Sequence, residues 1–464
     1  MLRDKFPPDS LFTLILKLTG ITIDPELIEI DRILEDDELF RQIRHDLSQR
    51  HPKTLVTGRN STPVEVILRM LALKHLYNWS YADTVRFVSD SLVLRWFCRV
   101  YLNPVCDDKT LLRWANLIQP QTLRLFNRRL SAIACELKLT RGRKLGTLGM
   151  VVETNIHPPT DSSLLADGVR VISRLLKRAK ALLQGKVQLA ADTFRARNRS
   201  ARKAAHRIYQ ASRRRGEEAK AAVQEAYRHL VRITQASVDQ ARRVLAVLKG
   251  HKDQQAQKLK AGLEQFIPLV EQVIDQTRRR VFQGEEVPAQ EKIVSIFEPH
   301  TDIICRGKAN KPVEFGHKVW PDEVDGGIVT DYRILKGNPN DKDQWQPSLD
   351  HHVELFGRPP YQASGDRGVY STDNKAYAEQ MGVKRVILPQ PSPKSEARRQ
   401  HERQRWFKWG RRFHAGIEGR ISVLMRKHGL DRCLYHGEDG FGRWVGWGII
   451  AGNLAMMGAA LAAL

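Results

Sequence analysis

Strand-forming sequence occurs in two places along this chain, separated by a long stretch of helical period, so a single sheet can form only if both pieces meet in space. TLGMVVET (147–154) is rich in β-branched residues and closed by the turn-like NIHPPTD, which reads as a strand. From about Arg195 to Arg280, Val223, Ala226, Leu230, Ile233, Ser237, Ala241, Val244 and Leu248 alternate at three and four residues. Gly250-His251 interrupts, and Leu259, Leu263, Phe266, Val270, Val273 and Thr277 resume the alternation, which describes an antiparallel helical hairpin with basic outer faces. Beyond Ile293 the segments KIVSIFEP, TDIICRG, PVEFGHKVWPDEVDGGIVTDYRIL, PPYQASGD and VKRVILPQ read as strands between Gly, Pro and Asp turns. An α/β domain split by a helical insert fits this order.

Upstream, from Pro25 to about Thr140, the pattern is helical throughout. Val64, Ile67, Leu68, Leu71 and Ala72 share a helix face, which Ser61 or Thr62 can cap. Short helices are expected at Ser80–Val88 and Leu92–Tyr101, and Asp107 or Asp108 can cap another before Leu111. Arg95, Arg99 and Arg113 in these short helices suit either a helix-turn-helix or a plain bundle. Asp161 or Thr160 caps the helix SSLLADGVRVISRLLKRAKALL, and Asp161 as an N-cap needs no chemical role.

The chain has 464 residues, enough for two or three cores, and 76 Lys and Arg against 52 Asp and Glu give a net charge of +24. That balance favours a polyanionic partner, nucleic acid first, although a solvated basic surface looks the same by count. Five scattered cysteines, Cys98, Cys106, Cys135, Cys305 and Cys433, offer no C-x-x-C pair and read as reduced cytoplasmic thiols. Neither a secretory signal nor a phosphate-binding P-loop is expected, so no nucleotide cofactor is implied. The uncharged run Trp444–Leu464 approaches bilayer length, yet its Gly and Ala content and Asn453 favour a buried terminal helix over a membrane span. His351-His352 has no partner at zinc spacing and reads as an ordinary pair of histidines.

Two carboxylates stand out. PYQASGD ends on Asp366, where a chain leaves a sheet edge and where open α/β sheets bind ligands. SEARRQHERQRWFKWGRRFHAGIEGRISVLMRKHGL reads as one long basic helix burying Trp406, Trp409, Phe413, Ile417, Ile421 and Leu424, with Glu418 at the margin of that face.

The wording of these segments carries further. GDRGVYS and HAGIEGRIS, with NIHPPTDSSLLADGVRV upstream, GWGIIAGNL at the end, and LRMLALKHLYNWSY, DDKTLLRW and RGKANKPVEFGHKV between, resemble DDE transposases of bacterial insertion sequences, specifically the ISNCY-like group. The resemblance implies an α/β, RNase H-like mixed-sheet catalytic domain interrupted by a helical insert and preceded by an all-helical N-terminal domain. The expected layout is a DNA-binding or dimerisation domain over 1–140, the first part of the catalytic domain over 141–180, the basic hairpin over 181–290 and the catalytic remainder over 291–464. It further implies a cytoplasmic, nucleoid-associated homo-oligomer that cuts and joins double-stranded DNA at transposon ends and in the target, with Mg²⁺ or Mn²⁺ and no membrane. Hard cations take oxygen ligands and can clamp the attacking and leaving oxygens of an in-line displacement. By resemblance, Asp366 is the second catalytic and metal-holding acid and Glu418 the third.

The first acid of that pattern falls on Leu148, before VVETN. Glu153 lies an odd five residues further along the strand and so faces the other way, and Asp161 is the remaining candidate. Three readings stand: a transposase that binds transposon ends, cleaves and transfers a 3′-hydroxyl to target DNA, with Leu148 arguing against full activity; a catalytically dead DNA-binding protein that represses or competes with active copies; and a nuclease of related fold.

Overall fold

The structure, a computed structural model, describes residues 1–183, 193–308, 311–393 and 395–464. The start of the expected insert, over 184–192, lies outside the described residues. The chain forms two compact units, one of Met1–Asn155 with Gly316–Leu464 and one of Ile156–Phe315.

The first unit begins with eight helices: α1 (Ser10–Leu18), α2 (Pro25–Ile33), α3 (Asp37–Ser48), α4 (Val64–Leu76), α5 (Tyr81–Asp90), α6 (Leu92–Phe97), α7 (Asp108–Ala115) and α8 (Pro120–Glu136). Ser80, Ser91 and Asp107 cap α5, α6 and α7 through their side chains. Helix α4 is different: Pro63 occupies its N-cap, and Ser61 instead accepts the Arg3 backbone N–H at 3.2 Å. Strands β1 (Lys144–Thr147) and β2 (Met150–Thr154) follow.

The second unit contains α9 (Asp161–Leu183), α10 (Asn198–Ser212), α11 (Glu217–Leu248), α12 (Gln254–Thr277), β3 (Asp302–Lys308) and the first residues of β4 (Lys311–Val324). Leu165, Ile172, Ile208, Leu230, Val244, Leu263 and Val270 merge into one apolar core, so α9 packs with the three helices that follow it. The helix expected to run on from Arg195 is interrupted at Gly216 (φ 105°) as well as at Gly250. KIVSIFEP forms no strand; its Ile293 and Ile296 bury against this helical core instead.

The chain then returns to the first unit with β5 (Ile328–Leu335), α13 (Trp345–Phe356), β6 (Gln362–Ser364), α14 (Thr372–Gln380), β7 (Arg385–Ile387), α15 (Glu396–Arg403), α16 (Arg405–Lys427), β8 (Arg432–Cys433) and α17 (Gly437–Ala462). Strands β1 and β2 run end to end, both antiparallel to β4, and β5 pairs antiparallel on the other edge of β4. Beside β1 lie β6 and then β7, all parallel, and β8 runs parallel to β2. The order is therefore β7, β6, β1–β2, β4, β5, a mixed α/β sheet.

The N-terminal helices and the sheet share one core, in which Leu39, Ile67, Leu71 and Phe126 pack in the same cluster as Leu145, Trp320, Trp447 and Leu454. Helix α17 is central to it. Among the described residues it alone is long and apolar enough to cross a membrane, yet it is buried against α2, α4 and α8. Its small residues admit neighbours closely: a methyl group at Gly446 would lie 2.8 Å from Tyr332 Oη and 2.9 Å from Leu123 Cβ. Asn453 supplies the polar contacts. Its Oδ1 accepts the Val329 N–H at 2.9 Å, and its Nδ2 donates to Asn127 Oδ1 and Val329 O, both at 2.8 Å. Nearby, the buried Lys74 ammonium sits 4.8 Å from the Tyr81 ring and 5.1 Å from that of Trp444, and burial pushes its pKa down to about 8.

Replacing Asn453 by Leu takes the side-chain partner from the Val329 N–H and from Asn127 Oδ1 in a dry interior, at about 1–3 kcal/mol for each group, while Asn127 Nδ2 keeps its bonds to Val329 O and Thr330 O. Denaturant titration of Asn453→Leu is expected to show a loss of at least about 2 kcal/mol; an unchanged midpoint would mean that α17 is not held here.

Candidate active site

Helix α16 crosses the parallel strands. Gly410 lies over Ile387 of β7, where a methyl group would come 2.4 Å from Ile387 Cδ1. Further along, Ile417 presses on Gly146 of β1, which has room for no side chain: a methyl there would lie 1.9 Å from Ile417 Cδ1. The buried face of α16 is accordingly Phe407, Gly410, His414, Ile417, Ile421 and Leu424. This corrects the face read from sequence: Trp409 is 53% exposed, because the helix breaks at Gln404 and the glycine sits where bulk was expected. Arg420, one turn further, pairs with the buried Glu323 of β4. Burial raises the Glu323 pKa and the guanidinium opposes it. Truncating either partner of such a pair costs about 3–5 kcal/mol, so it fixes where along α16 the next residues stand.

The strand register places the acids. Gly146 of β1 pairs with Ser364 at the end of β6, and two residues further along each chain come Leu148 and Asp366. Leu148 is half-buried against the apolar cluster that includes Met150 and Val152 of β2 and Ile417 and Ile421 of α16, on the face of the sheet that α16 covers. Leu145, by contrast, belongs to the core with Trp345 and Leu349 of α13. Asp366 caps the short 3₁₀ turn 367–369, accepting the Val369 N–H at 3.1 Å. Asp341 lies on the other side of Gly368, where a methyl would be 3.0 Å from Asp341 Oδ2 and 3.3 Å from Asp366 Oδ1. Burial first, and then the Asp341 charge, raise the pKa of Asp366. Lys318 of β4 pairs with Asp341, donates to Pro339 O at 2.9 Å, and partly offsets that repulsion. Asp341 and Lys318 carry no sequence signal, since they reach the site from a loop and from the middle of a strand.

Glu418 is exposed and forms no ion pair among the described residues. One turn before it, His414 is buried, with neither ring nitrogen hydrogen-bonded; burial lowers its pKa and Glu418 opposes that shift. Glu153 pairs with Arg432 at 2.8 Å.

Asp161 belongs to the second unit. It is buried, accepts from Arg280 Nη1 at 2.8 Å and from Gln276 Nε2 at 3.1 Å, and stands as the first residue of α9. The cap is Thr160, whose Oγ1 accepts the Ser163 N–H at 3.1 Å while Ser163 Oγ accepts the Thr160 N–H at 3.1 Å.

Basic residues divide into two kinds. Arg95 donates to Tyr101 O and Asn103 O, and Arg99 pairs with Asp31 and Glu35, so both hold the helical region together. Arg113 is exposed. In the second unit, α11 neutralises much of its charge through pairs such as Lys220–Glu217 and Arg228–Glu225. The segment Arg195–Arg215, which includes α10, has no acidic residue, and none of its exposed Arg199, Arg202, Arg207 and Arg213 forms an ion pair among the described residues.

Residues 20–117 match the family model of a transposase domain (DUF772). The match supports a transposase family and, with it, a transposase-like function. No curated protein and no solved structure matches the chain.

The raised pKa of Asp366 means that the folded chain holds a proton more tightly there than the unfolded chain does. Stability from this group is therefore complete at or below the unfolded value of 3.8 and is lost as pH rises through the raised folded value. Asp366→Asn keeps the cap acceptor and removes the repulsion with Asp341. Its melting temperature is expected to match the parent near pH 4 and to exceed it increasingly toward neutral pH; a parallel pair of curves would contradict the charge arrangement described.

Proposed function

We propose that this chain is an insertion-sequence transposase of the DDE type, with an RNase H-like catalytic domain, that keeps its hold on DNA ends but has lost strand cleavage and transfer through Leu148. The strand order β7, β6, β1–β2, β4, β5, with a helix bearing an acid laid across β1 and β6, supports the fold reading. The observation that carries the proposal is the register: Leu148 and Asp366 stand equally far beyond the Gly146–Ser364 pair, so an acid at 148 would stand beside Asp366 on the strand end that α16 covers.

Metal-dependent phosphoryl transfer of this class relies on carboxylates that hold hard cations such as Mg²⁺ or Mn²⁺. The donors here fall short of that set. Asp366 and Glu418 offer oxygen, Leu148 offers none and packs on the apolar side of α16, and Asp161 is already engaged by Arg280 and Gln276. What remains is recognition. The unneutralised Arg195–Arg215 segment suits phosphate contacts along double-stranded DNA. On this reading the chain works as a homo-oligomer on cytoplasmic, nucleoid DNA without a nucleotide cofactor, and an end-bound inactive copy competes with active ones.

Cleavage and strand transfer on transposon-end DNA in Mg²⁺ and in Mn²⁺ test the chemistry. The parent chain is expected to be inactive, Leu148→Asp to gain both activities, and Leu148→Asp with Glu418→Ala to lose them again. Activity in the parent would overturn the reading of Leu148. For recognition, replacing Arg199, Arg202 and Arg207 by Gln is expected to reduce the slope of log K against log salt by about three, at ~0.9 for each phosphate that is no longer neutralised. An unchanged slope removes α10 from the DNA interface.

A further inference from the structure

On the sheet face covered by α13, two carboxylates stand directly opposite each other: Asp322 of β4 and Asp331 of β5 are register partners. Like charges in that position repel, and a cation between them would relieve the repulsion. His351 of α13 closes the group, its Nδ1 lying 3.2 Å from Asp331 Oδ2, and the three ligand atoms all fall within 4.8 Å of one another. We propose that Asp322, Asp331 and His351 form a binding site for a transition-metal dication of the Zn²⁺ class, a function separate from the acids at the strand ends.

Three observations support it. First, Asp322 is 2% exposed and neither of its oxygens is hydrogen-bonded; its nearest cation, Arg333 Nη2, stands off at 3.6 Å. A carboxylate so deeply buried and so loosely paired is costly, and a coordinated metal would supply the missing charge. Second, the group opens on a cavity of about 200 Å³, which the buried His352 also lines. Three protein ligands would leave a fourth, tetrahedral position for water on that side. Third, His351 Nδ1 faces both Asp331 Oδ2 at 3.2 Å and Arg333 Nη1 at 3.4 Å, so a metal between the acids and the ring would take the place of the proton that this nitrogen otherwise shares with Asp331.

Arg333 is the competitor. Its Nη2 donates to Ser348 Oγ at 2.6 Å and to Gln344 O at 3.2 Å, which hold it at a distance from Asp322 rather than in direct hydrogen-bond contact. Two oxygens and one imidazole suit Zn²⁺, Co²⁺ or Mn²⁺ better than Mg²⁺, and the ligands come from β4, β5 and α13, so binding would tie the helix to the sheet.

The test is calorimetric titration of the full chain, stripped by chelator, with Zn²⁺ alone, and with Co²⁺ as an absorbing probe of coordination. His351→Ala and Asp331→Asn, at partly exposed positions, are each expected to keep the parent's circular dichroism and to weaken binding by about tenfold or more. Arg333→Met, which removes the competing guanidinium, is expected to tighten it. Zn²⁺ affinity unchanged by His351→Ala, or no binding by either the parent or Arg333→Met, overturns the proposal and leaves Arg333 as the resident cation.

Discussion

The contact between Ile417 and Gly146 sets the geometry of the acidic end of the sheet. A helix lies on a sheet at a distance fixed by the side chains between them, and here the strand contributes none, so α16 comes down onto β1 itself. Gly410 repeats the device over β7, and the buried Arg420–Glu323 pair fixes the axial position of the helix. Between these anchors α16 can neither slide nor rotate without opening a cavity or stranding a charge. Glu418 therefore has a defined place relative to the strand ends, although it is itself exposed.

That rigidity is what makes Leu148 informative. It packs against an apolar cluster shared with α16, and a leucine adds to that cluster at no electrostatic cost. Asp366, by contrast, is kept in a setting that disfavours its charge, beside Asp341 and partly buried. Apolar packing suits the one position, whereas burial and a neighbouring carboxylate make the other a place where charge costs stability.

Much of this is legible from residue patterns, and the failures have specific causes. The split between a first strand and a later sheet follows from the change of period at TLGMVVET, and Asp366 follows from the end of PYQASGD. The cap before Leu111 follows from residue type, Asp107 filling it of the two aspartates that could. KIVSIFEP misleads because a short apolar run can bury against helices as well as in a sheet, and periodicity alone cannot separate the two. The pattern misassigns the buried face of α16 because aromatic residues outweigh Gly410 and His414 in it, while the structure uses the smallest residue at the closest approach. Asp341, Lys318 and the Asp322–Asp331 pair are invisible in the sequence, since each depends on long-range register or on a loop that no local spacing encodes.

The helical unit enters and leaves the sheet through neighbouring backbone positions. Glu153 of β2 and Gly316 of β4 are register partners, and the whole of Ile156–Phe315 is spliced in where an ordinary hairpin would need only a turn. An insertion whose two ends are already side by side asks nothing of the strands that flank it. The closure cost of such a loop rises only with the logarithm of its length, so segments of very different size can be accommodated at this junction. The junction thus works as a socket: the inserted helical unit can lengthen, shrink or be replaced while the sheet that carries the acids keeps its register.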